Sequence, residues 1–202
     1  MSFDIPAIPS QPGGNGSSGR STLTPHIVLR RFGRIDPESL DEYLAHEGYV
    51  ALRRAVTELS PAAVLQAIEK AALRGRGGAG FATARKWRLA AETPASERYV
   101  IANAFGADPS AAGDRTLLES DPHAVLEGLA IAAYAVGARR AFVYCCLDHA
   151  SAVQRIARAV RQAEEGGFLG SGVLGTAFDC HVSVVTAPAG FAAGEETAAI
   201  AL

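Results

Sequence analysis

The chain has 202 residues, 49% of them hydrophobic, and a formal net charge of −2, which suits one domain with a sizeable core. Near-neutral charge gives no general attraction to nucleic acid or anionic lipid, and no apolar run approaches the roughly 18 residues of a membrane span. The start of the chain lacks a cationic-then-apolar signal pattern, so a cytoplasmic location without direct membrane insertion is expected.

Residues 1–25 are rich in Ser, Gly and Pro ("SQPGGNGSSGRST") and bury too little apolar surface to order themselves, so a flexible tail is expected. Residues 26–74 form a helical lead-in after an irregular "PHIVLRRFGRID". Asp36 with Pro37 offers one helix start, and Ser39 with Glu42 offers a second. Gly48 ends that helix. A second helix is expected over Val50 to Glu58. Ser60-Pro61 opens a third, with Val64, Leu65, Ile68 and Ala72 on one face, running into Gly75.

The rhythm then changes. "RYVIANA", "RAFVYCCL" and "HVSVVTA" are apolar and β-branched, and read as buried strands. Asp121-Pro122 caps an intervening helix with Leu126, Leu129, Ala130 and Ala133 as its stripe, ended by Gly137. Asp148 caps another with Val153, Ile156, Ala157 and Val160 inward, ended by Gly166-Gly167. Strand–helix–strand–helix–strand predicts an α/β domain over 75–202. Its Rossmann-like parallel sheet carries helices on both faces and right-handed crossovers. Ligands in such sheets bind beyond the carboxyl ends of the strands, here near Asn103, Leu147–Asp148 and "APAGFAAGEET".

The segment "LRGRGGAGFATARKW" demands its own explanation. Gly75, Gly77 and Gly80 match G-x-G-x-x-G, but a helix precedes them where the dinucleotide fingerprint needs a strand. No G-K-[ST] follows, so it is no Walker loop either. Consecutive glycines still let backbone N–H groups approach a ligand. Arg74 and Arg76 suit phosphate, Phe81 and Trp87 offer faces to a planar ring, and Lys86 adds a point charge. Taken alone, the segment reads equally as a nucleotide cradle or as a loop allowing tight helix-to-sheet packing. Cys145, Cys146 and Cys180 include no C-x-x-C and read as buried apolar thiols.

"GRGGAGFATARKW" resembles the G-R-G-G-A-G-F-P-T-G-x-K-W motif of the NADH-binding FMN flavoprotein subunit of respiratory Complex I. That family also supplies the diaphorase subunits of NAD-dependent formate dehydrogenases and NAD-reducing hydrogenases. Three further stretches agree in order: "GRIDPESLDEYLAHEGYVAL", "DRTLLESDPHAVLEGLAIAAYAVGARRAFVY" and "AGFAAGEETAAI". The resemblance implies FMN and NAD(H) as cofactors. Gly75, Arg76, Gly77, Gly78 and Gly80 would wrap the FMN, and Phe81 would stack on a nucleotide. Lys86 would sit beside the cofactors and Asn103 would hydrogen-bond the flavin. Gly194 with Glu195 and Glu196 would lie where nicotinamide meets flavin, the two acids at the catalytic centre.

The family pattern N-A-D-E-x-E-P-G-T-x-K-D-R reads "NAFGADPSAAGDR" here. Phe105 and Gly106 stand for the first two acids, Asp108 for the third and Gly113 for the lysine. Ala82 replaces a proline and Phe191 a tyrosine. Two functions follow as expectations. One is an NADH-oxidising flavin domain passing electrons to a partner, an iron–sulfur protein or another Complex I-like or formate dehydrogenase-like subunit. The other is a non-catalytic degenerate homologue with an assembly or ligand-sensing role. A [4Fe–4S] cluster takes four thiolates, so none is expected in this chain.

Overall fold

The computed structural model describes residues 27–76, 78–106, 112–190 and 192–201. The expected tail, Gly77, Asp108 and Phe191 lie outside them. After turns over 27–35 come α1 (Leu40–Ala45), α2 (Val50–Glu58) and α3 (Pro61–Lys70). There follow α4 (Thr83–Glu92), β1 (Tyr99–Ala104), α5 (Gly113–Ser120), α6 (Pro122–Val136), β2 (Arg140–Cys146), α7 (Ala150–Glu165), β3 (His181–Ala187) and α8 (Glu196–Ile200). A 3-10 turn, Val173–Gly175, precedes β3. Among the described residues no helix is long and apolar enough to cross a membrane.

The strands form a parallel sheet in the order β1-β2-β3. Alternation sends Ala104, Ala141, Val143, Cys145 and Val182 into the main core, with Leu126, Leu129, Ala130 and Ala133 of α6 and Ile156, Ala159, Val160 and Ala163 of α7. Both crossovers step the same way across the sheet, so both helices cover one face. Among the described residues the opposite face, in the register Tyr99↔Arg140, Ile101↔Phe142 and Asn103↔Tyr144, meets a helix only at its carboxyl end. There α8 and the preceding loop pack on Phe105, Tyr144, Cys146 and Ala187. Toward the amino end, Tyr99 and Ile101 stay exposed.

Of the two starts expected for the first helix the second holds, and other start signals resolve differently from expectation. Ser39, not Asp36, caps α1: its Oγ accepts from Glu42 N at 3.2 Å, while Glu42 reaches back to Asp36 N at 2.6 Å. Pro122 opens α6, but Asp121 makes no capping bond; its carboxylate pairs with buried Arg31 at 3.1 Å. His149, not Asp148, stands at the start of α7. α3 stops at Lys70, and Ala72 turns the chain with φ +50° before the glycines. The helices α4 and α5 have no counterpart among the expected elements.

A buried polar network fastens the N-terminal helices to α6. Tyr49 precedes α2 in the left-handed region (φ 57°) and lends it no side-chain cap. Glu127 of α6 substitutes: its carboxylate accepts from Tyr49 N (3.1 Å), Leu52 N (3.0 Å) and the Tyr43 hydroxyl (2.5 Å). Gln162 donates through Nε2 to Glu38 O at 2.9 Å, leaving its Oε1 to accept from His123 Nε2 at 3.1 Å. The other ring nitrogen, Nδ1, therefore accepts from the Tyr49 hydroxyl at 3.0 Å. Burial holds the His123 pKa below its ordinary value, partly offset by Gln162. Buried polar groups stay folded at low cost only when partnered this fully.

Candidate functional site

The glycine loop is closed at its base by backbone pairing. Arg74 faces Ala82 in an antiparallel bridge. Gly75 N donates to Phe81 O at 2.8 Å and Thr83 N to Leu73 O at 2.9 Å. The Arg74 guanidinium donates to Gly80 O at 2.9 Å. Gly78 and Gly80 have φ of +108° and +60°, with nothing within 4 Å of where a Cβ would sit. Glycine is therefore required here by backbone conformation and not by crowding. The loop delivers the chain into α4, whose N-cap Ala82 contributes no side-chain hydrogen bond. A helix start without a capping side chain beside a glycine loop favours an anionic group.

Aromatic and charged side chains surround this start. Phe81 is 43% exposed, with the Arg85 guanidinium 5.6 Å from its ring centroid. Arg76 is exposed. Trp87, expected to offer a ring face, instead packs against both cores beside Leu65 and Ala135. Lys86 projects from α4 so that its Nζ lies 3.5 Å from Glu196 Oε1, a contact between two largely exposed side chains. Such a pair contributes little stability; its value is that it brings together residues far apart in sequence.

The carboxyl end of the sheet holds the other half. Asn103 Nδ2 donates to Gly194 O at 2.9 Å, and its Oδ1 accepts from Phe105 N at 3.3 Å. Both ends of the Asn103 amide are thus engaged within the chain. Tyr144, its register partner on β2, donates to Ala193 O at 2.8 Å. Glu195 forms the N-cap position of α8, and Glu196 is its first residue. Phe105 is 2% exposed and stacks on Tyr144 with centroids 5.1 Å apart and planes at 21°. Gly106 has φ +61°, with His149 Cε1 3.5 Å from a would-be Cβ.

Of the residues expected at the site, Lys86, Asn103, Gly194 and Glu196 are joined by direct contacts, and Glu195 is adjacent to them in the chain. Gly75, Arg76, Gly78, Gly80 and Phe81 lie in or beside the loop that feeds α4, and the contacts described for Gly75, Gly80 and Phe81 are within that loop and helix. Sequence reasoning missed Tyr144, because its strand reads as uniformly buried. The signal for it is parity: Tyr144 shares the Asn103 face, not the Val143 face. The three cysteines are buried and free. Burial pushes the Cys145 and Cys180 thiols up to about 11 and about 12, as for apolar packing residues.

A parallel sheet with an acid-bearing loop at its carboxyl edge, preceded in the chain by a glycine loop and an uncapped helix start, is an α/β domain of the kind that takes ligands beyond its strand ends. The chain belongs to the Nuo51 FMN-binding domain family, which it matches over residues 68–202. It is 42% identical over 174 residues to the NADP-reducing hydrogenase protein HndC of Solidesulfovibrio fructosivorans, covering 86% of this chain and 35% of that protein. It is 38% identical over 177 residues to a subunit of the NADH-quinone oxidoreductase of Aquifex aeolicus, covering 88% of this chain and 41% of that one. A solved NAD+-reducing [NiFe]-hydrogenase in the H2-reduced state superposes with a TM-score of 0.65 at 30% identity, over 86% of this chain and 27% of that one. The chain thus spans about two fifths or less of the curated relatives named here.

Proposed function

We propose that the chain is the FMN-binding, NADH-oxidising half of a diaphorase, and that it passes electrons to a partner subunit carrying an iron–sulfur or quinone site. One observation carries this reading: Lys86, from the helix that the glycine loop feeds, contacts Glu196, while Asn103 at the carboxyl end of β1 holds Gly194 of the same acid-bearing loop. The backbone fits the cofactor, since Gly78 and Gly80 supply the conformations a phosphate cradle needs and α4 supplies an uncapped N-terminus.

In this reading Gly75, Arg76, Gly77, Gly78 and Gly80 hold the FMN phosphate and ring edge. Phe81 offers its exposed face to a nucleotide base, and Lys86 places a positive charge beside the ring. Asn103 orders the flavin side of the site through Gly194, and Asp108 is the carboxylate that stands in sequence where the family carries its third acid. Glu195 and Glu196 flank the nicotinamide. FMN, when bound, supplies N5 as acceptor for the hydride of nicotinamide C4; the chain's part is alignment and local charge. The partner is a Complex I-like, hydrogenase-like or formate dehydrogenase-like subunit, through which the chain is peripheral to any membrane.

A non-catalytic homologue is the second reading, and Phe105 favours it, because an apolar ring is packed where the family carries an acid. The absorption spectrum separates the two. The purified chain is loaded with FMN, freed of excess and given anaerobic NADH. A retained flavin band that bleaches is the expected result. Absence of a retained band, or a band that NADH leaves unchanged, overturns the catalytic reading.

A further inference from the structure

We propose that Tyr144 is a positioning residue, which holds the acid-bearing loop of the site from beneath through its hydroxyl. The inference rests on the function proposed above for its catalytic meaning, but not for its structural test.

Among the described residues the Gly194–Glu196 loop is held by apolar contact of Ala193 and Ala199 with the cluster beneath and by few polar contacts. α8 has five residues and no side-chain cap, so its own backbone bonds hold it weakly. The Lys86–Glu196 contact is 3.5 Å long between exposed groups and adds little. Among the described residues, two bonds come to it from the sheet. Asn103 donates to Gly194 O and Tyr144 donates to Ala193 O, so adjacent carbonyls are held by neighbouring strands in register. The Asn103 side chain is exposed, so its bond is open to competition from water or a ligand. Tyr144 is not: it is 2% exposed. Its ring is clamped by Phe105 at 21° and 5.1 Å and by Cys146 and Ala187 in the same cluster. A ring held in this way leaves its hydroxyl one place to point, and an unpaired buried hydroxyl is penalised, so the bond to Ala193 O fixes the loop firmly. Glu195 stands two residues beyond Ala193.

Phe105 gains a role from this arrangement. It does not merely vacate an acid's place: it forms one wall of the slot that aims the Tyr144 hydroxyl at the loop. The loop is thereby ordered before any ligand arrives, which is the preorganisation that alignment of a hydride donor and acceptor needs.

The test uses the full chain with Tyr144→Phe, which keeps the stacked ring and deletes the hydroxyl. Amide hydrogen exchange over residues 192–199 is read first, since it requires neither cofactor nor turnover. An increase of about fivefold or more there, with β1 and β2 amides unchanged, is expected from loss of one buried hydrogen bond. Cys146→Ala is the control, because it loosens the same cluster without touching the bond; it is expected to leave residues 192–199 within about twofold of wild type. FMN retention and the NADH bleaching rate are read next. Tyr144→Phe is expected to retain FMN on the glycine loop and to slow bleaching at saturating NADH. Unchanged exchange over 192–199 in Tyr144→Phe, or equal increases in both variants, overturns the proposal. Loss of bleaching in the wild-type chain overturns the diaphorase reading instead and leaves the exchange result to decide the role of Tyr144.

Discussion

Restoring the family's acid at position 105 is the obvious way to strengthen a weak flavin site, and the structure predicts that it damages the fold instead. Phe105 is 2% exposed and stacked on Tyr144, in a cluster with Cys146 and Ala187. Removing a buried phenyl ring costs about 3–5 kcal/mol. A carboxylate left in that place must either stay charged without a partner or take up a proton. Raising its pKa from about 3.9 to neutrality would add about 4 kcal/mol, so a swing toward solvent through Gly106 is the cheaper escape, and the ring's loss remains as the lower bound. For a chain of this size about 1 kcal/mol moves Tm by about 2–4 °C, so Phe105→Asp should lower Tm by about 6–20 °C. Thermal denaturation with and without FMN measures this directly. A Tm within about 2 °C of wild type, together with tighter FMN retention, would refute the buttress role and show that Phe105 only fills a vacated pocket.

Four other substitutions or conditions test different parts of the structure. Gly80→Ala puts a side chain at φ +60° and should destabilise the chain by about 1–2 kcal/mol, with weaker FMN retention on the column. Gly128→Ala should do the opposite, stabilising by about 0.5–1 kcal/mol in urea melts, since Gly128 lies inside α6 with nothing within 4 Å of its Cβ position. Glu127→Gln sets an amide NH2 against a donor that the carboxylate now satisfies, since Leu52 N bonds one oxygen and Tyr49 N with the Tyr43 hydroxyl the other, so a loss of about 2–3 kcal/mol in denaturant stability is expected. Stability should also fall as pH drops below about 6.5. Burial lowers the His123 pKa in the folded chain, whereas the unfolded chain takes up that proton near its ordinary value; denaturation midpoints between pH 8 and 5 report it, and a flat profile would refute it.

The three strands are legible because each is a short apolar, β-branched run bounded by turn signals, and β3 matches its expected run from His181 to Ala187. Helix starts are less legible, since an acid beside a proline can be claimed by a distant partner. Asp121 is drawn from capping by Arg31, 90 residues away, and the signal for that pairing is not local. α4 is hidden because its glycine-rich approach reads as loop and its arginines and lysine read as ligand contacts. The expected site residues divide in the same way. Lys86, Asn103 and Glu196 are found by motif, but only the folded register places Tyr144 under the same loop. Trp87 misleads because an aromatic beside charge reads as a stacking face, whereas its helical position turns it into the seam between the two cores.

The strand order explains why packing and chemistry are tied together at this site. With β1-β2-β3 crossing in one direction, α6 and α7 both fall on one face of the sheet. A parallel sheet needs cover on its other face as well, and at the carboxyl end that cover is Ala193 and Ala199 of the segment that carries Glu195 and Glu196. The same few residues therefore seal an apolar cluster below and present carboxylates above. A change on the lower side, such as an apolar ring at position 105, tightens the seal and steadies the acids. The same change removes a charge from the neighbourhood of the loop. Loop order and fold stability are thus coupled through Tyr144 and should fall together when Phe105 is replaced, which single-site comparisons of thermal denaturation and amide exchange over residues 192–199 can resolve.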